Sequence, residues 1–357
     1  MDFSQIHSSF KLNGIRFNSK ADLIEYVKTS FSSTHDFFVN WFNDEDYLIV
    51  QTSGSTGKPK PIKLLKEQMI NSALATGAFF EIKENTTALL CMSVDYIAGK
   101  MMLVRAMVLG WDLDIFNAVS NPLSLTDKNY HFSAMVPLQL EKSLDQIERI
   151  DKLIVGGGVV SESLKSKILK VKTEIFATYG MTETITHIAV KKLNQLKERP
   201  SFYKVLPNVK IYIDQRNCLM INAPLVANEI VLTNDVVQLV SENEFEWLGR
   251  YDNVINSGGI KLHPEKIEHK LSKLIQNRFF TVGIKDERLG EKLVLVIENN
   301  ATEINSEEVI KRINEFPEIK KYEVPKEIYF VKSFIETETK KVQRRKTMDL
   351  VLNTSKK

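Results

Sequence analysis

Between positions 21 and 42, apolar residues recur at helical spacing, with Leu23, Ile24, Tyr26 and Val27 forming a stripe among polar neighbours. The period then shortens. DYLIVQTSG reads as a strand running into a glycine-rich loop, residues 67–80 as a helix, and TALLCMSV (87–94) as a buried strand. Residues 97–110 regain helical spacing and stop at Gly110. WDLDIF and HFSAMVP are short strands, SLDQIERI a short helix, and KLIVGGG a strand ending in three glycines. Ser161 is placed to cap the helix SESLKSKILK, and EIFATYG is a further strand and turn. Strands alternating with helices predict a largely parallel sheet covered on both faces.

Beyond about residue 205 the pattern changes to short β segments separated by turns: KIYIDQ, CLMINAP, EIVLTNDVVQLV and FEWLGR. YDNVINSGGIKLHPEKIEHKL passes from a Gly-rich loop into a helix, with Pro264 where a helix could start. The rest alternates strand and helix, as in a compact α+β domain. The chain is 357 residues long, more than one hydrophobic core usually spans. The fold class is thus α/β: a large domain over 1–250, β-rich over about 205–250, followed by a small α+β domain over 252–357.

Charge adds little. Lys and Arg number 48 against 45 Asp and Glu, which gives no support for nucleic-acid binding. From Asp252 onward the count is 21 against 17, a modest basic surplus. Cys91 and Cys218 lie in apolar surroundings without ligand spacing, and neither CxxC nor HExxH occurs, so a dedicated zinc site is not expected. The start lacks a basic segment followed by an apolar one, and the most hydrophobic stretch, 88–111, is interrupted by Asp95, Lys100 and Arg105. A soluble cytoplasmic protein without a membrane span is expected, as a monomer or a homodimer.

The candidate chemistry centres on VQTSGSTGKPK, residues 50–60. Glycines permit close backbone approach, amides and Ser/Thr hydroxyls can donate to phosphate oxygens, and Lys58 adds a positive charge. The spacing is not that of a P-loop, and on composition alone an exposed, flexible turn is the alternative. Glu183 in YGMTET (179–184) and Asp235 in TNDVV, taken alone, read as polar turn residues between elements.

TSGSTGKPK resembles the signature loop of the adenylate-forming superfamily of acyl-CoA synthetases and adenylation domains, and the resemblance runs over roughly residues 45–346. It implies that Thr52, Ser53, Gly54, Ser55, Thr56, Gly57 and Lys58 close over the β- and γ-phosphates of ATP. Thr182 would stand near the α-phosphate and Glu183 would hold Mg²⁺, with Tyr179 and Gly180 in the same motif. GGG at 156–158 is similar to the adenine-side loop, involving Gly157 and Gly158. Asp235 would bind the ribose hydroxyls, and Arg250 ribose or phosphate oxygens. GRYDNVINSGGIKLHPEKIE implies a hinge at Asp252 and a loop of Asn256, Ser257, Gly258, Gly259 and Lys261 that enters the site when CoA reacts. In the tail TETKKVQRRK, Lys341 falls at the family's catalytic lysine and Lys340 at its usual glycine, leaving Lys340 as the competing candidate. Five basic residues in seven could also be only a solvated tail.

CMSVDYIAGKMMLVRAM (91–107) resembles the acid-binding region of the o-succinylbenzoate–CoA ligases, the menaquinone-pathway branch of that superfamily. Gly99 and Arg105 fit that pattern, while Tyr96 replaces its usual His and Ala98 its small residue. Arg105 would pair with a second carboxylate of the acid, or else make a helix-surface salt bridge. The phosphate loop begins near residue 52, which implies a shortened N-terminal region. The resemblance implies an ATP- and Mg²⁺-dependent acid–CoA ligase with CoA as co-substrate. Another aryl or acyl-CoA ligase, an enzyme loading a carrier-protein thiol, and a non-catalytic nucleotide binder are the alternatives.

Overall fold

The computed structural model describes residues 6–51, 61–196, 201–299, 305–337 and 342–354. The chain divides into two compact units. The first comprises Met1–Tyr212, Met220–Leu232 and Leu239–Phe245; the second takes everything from Glu246 onward together with Ile213–Leu219 and Thr233–Gln238.

In the first unit, six strands pair in parallel in the order Lys11–Leu12, Asp112–Ile115, Thr87–Leu90, Tyr130–Met135, Ile150–Val155, Glu174–Gly180. His187–Lys192 and Tyr203–Val205 continue the sheet antiparallel. From Thr87–Leu90 the chain goes first to one neighbour and then to the other, so the order reverses there. Crevices beyond the carboxyl ends of strands at such a reversal are where open α/β sheets bind ligands.

Side-chain burial explains the layers. Leu89, Met135, Leu153, Val155 and Ile175 of the strands join Leu140, Leu164 and Ile168 of the helices Pro137–Lys142 and Glu162–Ile168 in one core cluster. Helices Lys66–Phe80 and Ile97–Leu109 pack on each other. The second is so thoroughly buried because its residues are apolar nearly all round. It ends at Gly110, whose positive φ of 72° closes the last turn without a Cβ penalty. Ser161 accepts the amide of Leu164 at 3.2 Å, as its capping position requires.

Three local expectations are modified. The 21–42 segment is two helices, Lys20–Ser30 and Ser32–Trp41, because Phe31 leaves helical geometry between them. Among the described residues, strand Tyr47–Gln51 pairs with Pro61–Leu65 in a two-stranded ribbon, apart from the parallel sheet. Its alternation, with Leu48 and Val50 buried and Ile49 exposed, fits a ribbon buried on one face. The glycine-rich stretch after Asp252 is a β-hairpin, Ile255–Ser257 with Ile260–Leu262, turning at Gly258 and Gly259 with φ of 59° and 81°.

That hairpin belongs to the second unit's own sheet, built around Gly290–Glu298. This central strand pairs antiparallel with Phe279–Asp286 and parallel with Glu327–Val331. Ile267, Leu271 and Ile313 of helices Pro264–Leu271 and Ser306–Asn314 share one cluster with Leu293, Leu295 and Ile297. Met348 of helix Arg344–Thr354, absent from the sequence reading, joins Val294 and Val296 in another. No helix among the described residues is long and apolar enough to cross a membrane.

Arg344 ties that last helix down. Its guanidinium donates to the carbonyl of Thr281 at 3.0 Å and to Glu268 at 2.8 Å, and lies 3.5 Å from Glu265. One guanidinium thus serves two carboxylates. Burial pushes the Glu268 carboxyl up to about 7, against the opposing pull of Arg344. A raised folded-state value means that this stability is fully present below the ordinary carboxylate range and is lost as pH rises through about 7. Glu268→Gln should flatten the fall in stability between pH 5 and 8 by on the order of 1–3 kcal/mol, read by urea unfolding across that range. An unchanged slope would refute this role.

Candidate active site

Parallel pairing brings distant motifs to one edge. The registers Leu90–Ala134, Met135–Val155 and Val155–Ala177 align four neighbouring strands, so the segments after their carboxyl ends emerge side by side. Those segments include Cys91–Tyr96, the glycines 156–158 and Met181–Thr184, which continues the motif begun on the strand at Tyr179 and Gly180. Gln139 braces the edge by donating to the carbonyl of Cys91 at 2.7 Å. Thr178 donates to the carbonyl of Val155 at 3.2 Å. Gly157, at φ 77°, turns an exposed loop that Gly158 continues.

The 179–187 segment is folded tightly. Thr182–Thr184 is one 3-10 turn, with the Thr184 hydroxyl accepting the amide of Met181 and donating to the carbonyl of Thr186 at 2.9 Å. Buried Ile185 then adopts φ 65° and ψ −67°, and the amide of Thr186 reaches the carbonyl of Thr184 at 2.7 Å. This is a γ-turn of positive φ, a strained geometry doubly unusual for a β-branched residue. It folds Thr186 and His187 back against Gly180, where a Cβ would overlap the Thr186 carbonyl. Thr182 is left half-buried and Glu183 exposed, with no ion-pair partner among the described residues. Tyr179 packs edge-on to Phe245, ring centres 5.1 Å apart.

Beneath this loop lies a polar ring that sequence reading missed. Arg105 is 2% exposed. Its guanidinium donates to Thr76 Oγ1 at 3.3 Å, Thr186 Oγ1 at 3.2 Å and His187 Nδ1 at 3.4 Å, and contacts the Met102 sulfur at 3.8 Å. All are neutral acceptors, so the helix-surface salt bridge is ruled out by burial. Burial draws the Arg105 value down to about 10, leaving it cationic at neutral pH. Burial, then the Arg105 charge, holds His187 well below its ordinary value. Since a guanidinium only donates, Nδ1 of the neutral ring accepts and the proton sits on Nε2, 3.4 Å from Thr76 Oγ1. Ser72 and Thr186 share a 3.1 Å hydrogen bond. Ser72 and His187 also line a cavity of about 230 Å³ with Leu74, Ile188, Leu206 and Val226. The available signal was the pair Ser72 and Thr76, four residues apart among Met69, Ala73, Gly77 and Phe80 on the helix's buried face.

Of the other acid-site candidates, Tyr96 is exposed at the start of helix Ile97–Leu109. Gly99 lets that helix sit against the Ser93 carbonyl, which a Cβ would overlap.

In the second unit Asp235 is buried, accepts from Trp247 Nε1 at 3.1 Å and lies 3.6 Å from Arg250. Arg250 also reaches Asp252 at 3.4 Å, and Arg345 donates to the Asp252 carbonyl at 3.3 Å. Asn256 donates its amide to Glu291 and Gly258 to the carbonyl of Leu289, both at 2.8 Å, while Ser257 and exposed Lys261 complete the hairpin. Thr52 through Lys58, Lys340 and Lys341 lie outside the described residues.

The donor set fits a magnesium nucleotide. Among the described residues no group of three or more His, Cys, Asp or Glu could hold a metal by itself. Glu183 is instead a single exposed carboxylate, and Mg²⁺ is commonly held by one or two carboxylates together with substrate phosphates.

Residues 17–227 match the model of the AMP-binding enzyme family. A 2-succinylbenzoate–CoA ligase of Staphylococcus epidermidis is 27% identical, over 90% of this chain and 74% of its own length. One from Bacillus cereus is 23% identical over 96% and 77%. Among solved structures, an AMP-forming acyl-CoA synthetase/AMP-acid ligase II-like protein of Dyadobacter fermentans is 39% identical. That alignment covers 90% of this chain and 94% of the other, with a TM-score of 0.61. O-succinylbenzoate CoA synthetase of Bacillus subtilis, in complex with ATP and magnesium, shares the fold at a TM-score of 0.74 and 19% identity, over 93% and 82%.

Gly180→Ala should displace the 182–187 turn and lower stability by roughly 1–3 kcal/mol, because backbone rather than a flexible side chain meets the added carbon. Thermal unfolding checks this, and an unshifted midpoint would show that the turn yields freely.

Proposed function

The chain belongs to the AMP-binding enzyme family, and on that footing we propose that it is an ATP-dependent acid–CoA ligase acting through an acyl-adenylate, with 2-succinylbenzoate as the acid. Its fold is that of the adenylate-forming enzymes. The observation that carries the reading is the convergence of Cys91–Tyr96, Gly156–Gly158 and Tyr179–Thr184 on one sheet edge at the reversal of strand order. Names of the similar ligases supply the acid.

In the first step a carboxylate oxygen of the acid attacks the ATP α-phosphorus, the P–O bond to pyrophosphate breaks, and an acyl-adenylate forms. Residues 52–58 hold the outer phosphates and Thr182 donates to the α-phosphate. Tyr179, Gly157 and Gly158 border the nucleotide. Mg²⁺ at Glu183, when bound, neutralises phosphate charge. Lys341 stabilises the charge that grows on the α-phosphate oxygens, as a cation aimed at a developing charge can. Asp235 accepts from the ribose hydroxyls beside Arg250. In the second step the CoA sulfur attacks the acyl carbonyl and AMP leaves. Residues 252–357 turn about Asp252 between the steps, bringing Asn256–Lys261 to the thiol's approach, while residues 1–250 keep the nucleotide and acid. The enzyme works in the cytoplasm.

Arg105 supplies the charge complement for the acid's second carboxylate. Its partners among the described residues are all neutral, and a buried cation so placed is costly, which suits a site completed by an anionic substrate. Tyr96 and Gly99 shape the entrance to that site.

Pyrophosphate and AMP release assayed with a panel of carboxylic acids tests the function. Release should be greatest with 2-succinylbenzoate and should need CoA for turnover; a preference for another acid removes the substrate assignment, and release with none removes the ligase. Lys341→Ala should cut adenylate formation by about 10²-fold or more with ATP binding little changed; if Lys340→Ala is the crippling variant, the lysine assignment moves by one residue. Arg105→Lys should reduce turnover of the dicarboxylic acid about tenfold more than that of benzoate, and equal losses would disprove the pairing.

A further inference from the structure

Arg216 stands outside every motif named above, in the turn between strands Lys210–Ile213 and Cys218–Asn222. Its direction is set locally. The Asp214 carboxylate accepts the amides of Arg216 at 2.7 Å and Cys218 at 2.8 Å, and also the Arg216 Nε–H at 2.8 Å. The guanidinium then reaches forward. It donates to Asn234 Oδ1 at 3.0 Å and to the Thr233 carbonyl at 3.3 Å, and lies 5.1 Å from the centre of the Tyr251 ring. Asn234 passes the connection on, its Nδ2 donating to Asp252 Oδ2 at 3.4 Å, the oxygen that Arg250 also meets. The next residue, Asp235, lies 3.6 Å from Arg250. A guanidinium 40% exposed is ordinarily mobile. This one is held by contacts on the strand that carries Asp235 and on the ring beside Asp252.

We propose that Arg216 is a positioning residue that clasps the segment Tyr251–Asp252 to the strand bearing Asp235, and so sets how readily the chain pivots there between the two half-reactions. This rests on the ligase reading and on Asp252 as its pivot. Rotation about the N–Cα bond of Asp252 carries its carboxylate away from Asn234, the side chain that Arg216 holds in place, while the Arg216–Tyr251 contact anchors the residue from which that rotation starts. The clasp favours one conformation of the pivot over the other by the differential contact it makes. One partly exposed cation–aromatic contact biases such an equilibrium by about two- to fivefold.

The experiment measures the half-reactions separately in the full chain: acid-dependent exchange of pyrophosphate into ATP, and single-turnover transfer of the bound acyl-adenylate to CoA. The variants are Arg216→Ala, Tyr251→Ala, Tyr251→Phe and the double alanine variant. Arg216→Ala and Tyr251→Ala should each change the ratio of the two rates by about two- to fivefold in the same sense, and the double variant no further, because they remove one contact. Tyr251→Phe keeps the ring and should keep the ratio. Equal loss of both half-reactions in Arg216→Ala, or multiplication of the single effects, overturns the clasp. Amide hydrogen exchange supplies a readout that needs no turnover. The Val254 amide, bonded to the Tyr251 carbonyl at 3.1 Å, should exchange several-fold faster in Arg216→Ala, and unchanged exchange overturns the clasp. Wild-type protein lacking pyrophosphate exchange with every acid would sink the ligase reading, and the amide measurement would still decide whether Arg216 holds the segment.

Discussion

Parallel strand pairing at the centre of the first unit governs most of what this chain can do. Leu90 beside Ala134, Met135 beside Val155 and Val155 beside Ala177 keep four carboxyl ends in step. A shift along any one pair would reverse its buried and exposed faces and retract one loop from the edge. The buried side chains of Leu89, Leu153, Val155 and Ile175 hold that register hydrophobically. The polar loops are then free of packing duties, which is why their glycines and hydroxyls can serve chemistry.

The tight fold at 179–187 builds on this edge. Ile185 is strained and Gly180 admits no side chain, so the segment is over-determined from both sides. Beneath it, Arg105 is a buried cation among neutral acceptors. Thr76, Thr186 and His187 satisfy its donors without cancelling its charge. Hydrogen bonding is thus separated from charge compensation among the described residues.

The second unit solves a different problem. Its sheet has two faces to bury. Two core clusters on either face of its sheet give rigidity, and Arg344 fastens the terminal helix to Glu265 and Glu268. Around Asp252 the contacts are exposed, longer and carried by side chains: Asn234, Arg250 and Arg345. Such contacts are individually weak, so they can bias a conformation without freezing it.

Read alone, the sequence determined the alternating strands and helices, the helix stop at Gly110, the Ser161 cap and the membership implied by TSGSTGKPK and YGMTET, because periodicity, capping and motif spacing are local properties. It also marked Gly99 and Arg105 for the acid and Asp235 for the ribose, without their spatial partners. The break at Phe31, the separate ribbon of Tyr47–Gln51 and the hairpin at Gly258–Gly259 depended on which partner each segment met. Only the tertiary structure decided that Arg105 is buried with Thr76 and His187, and that Arg216 lies over Tyr251. Those pairs stand 29, 82 and 35 positions apart along the chain. Burial and charge compensation are set by neighbours in space, and no spacing along a single chain carries that information.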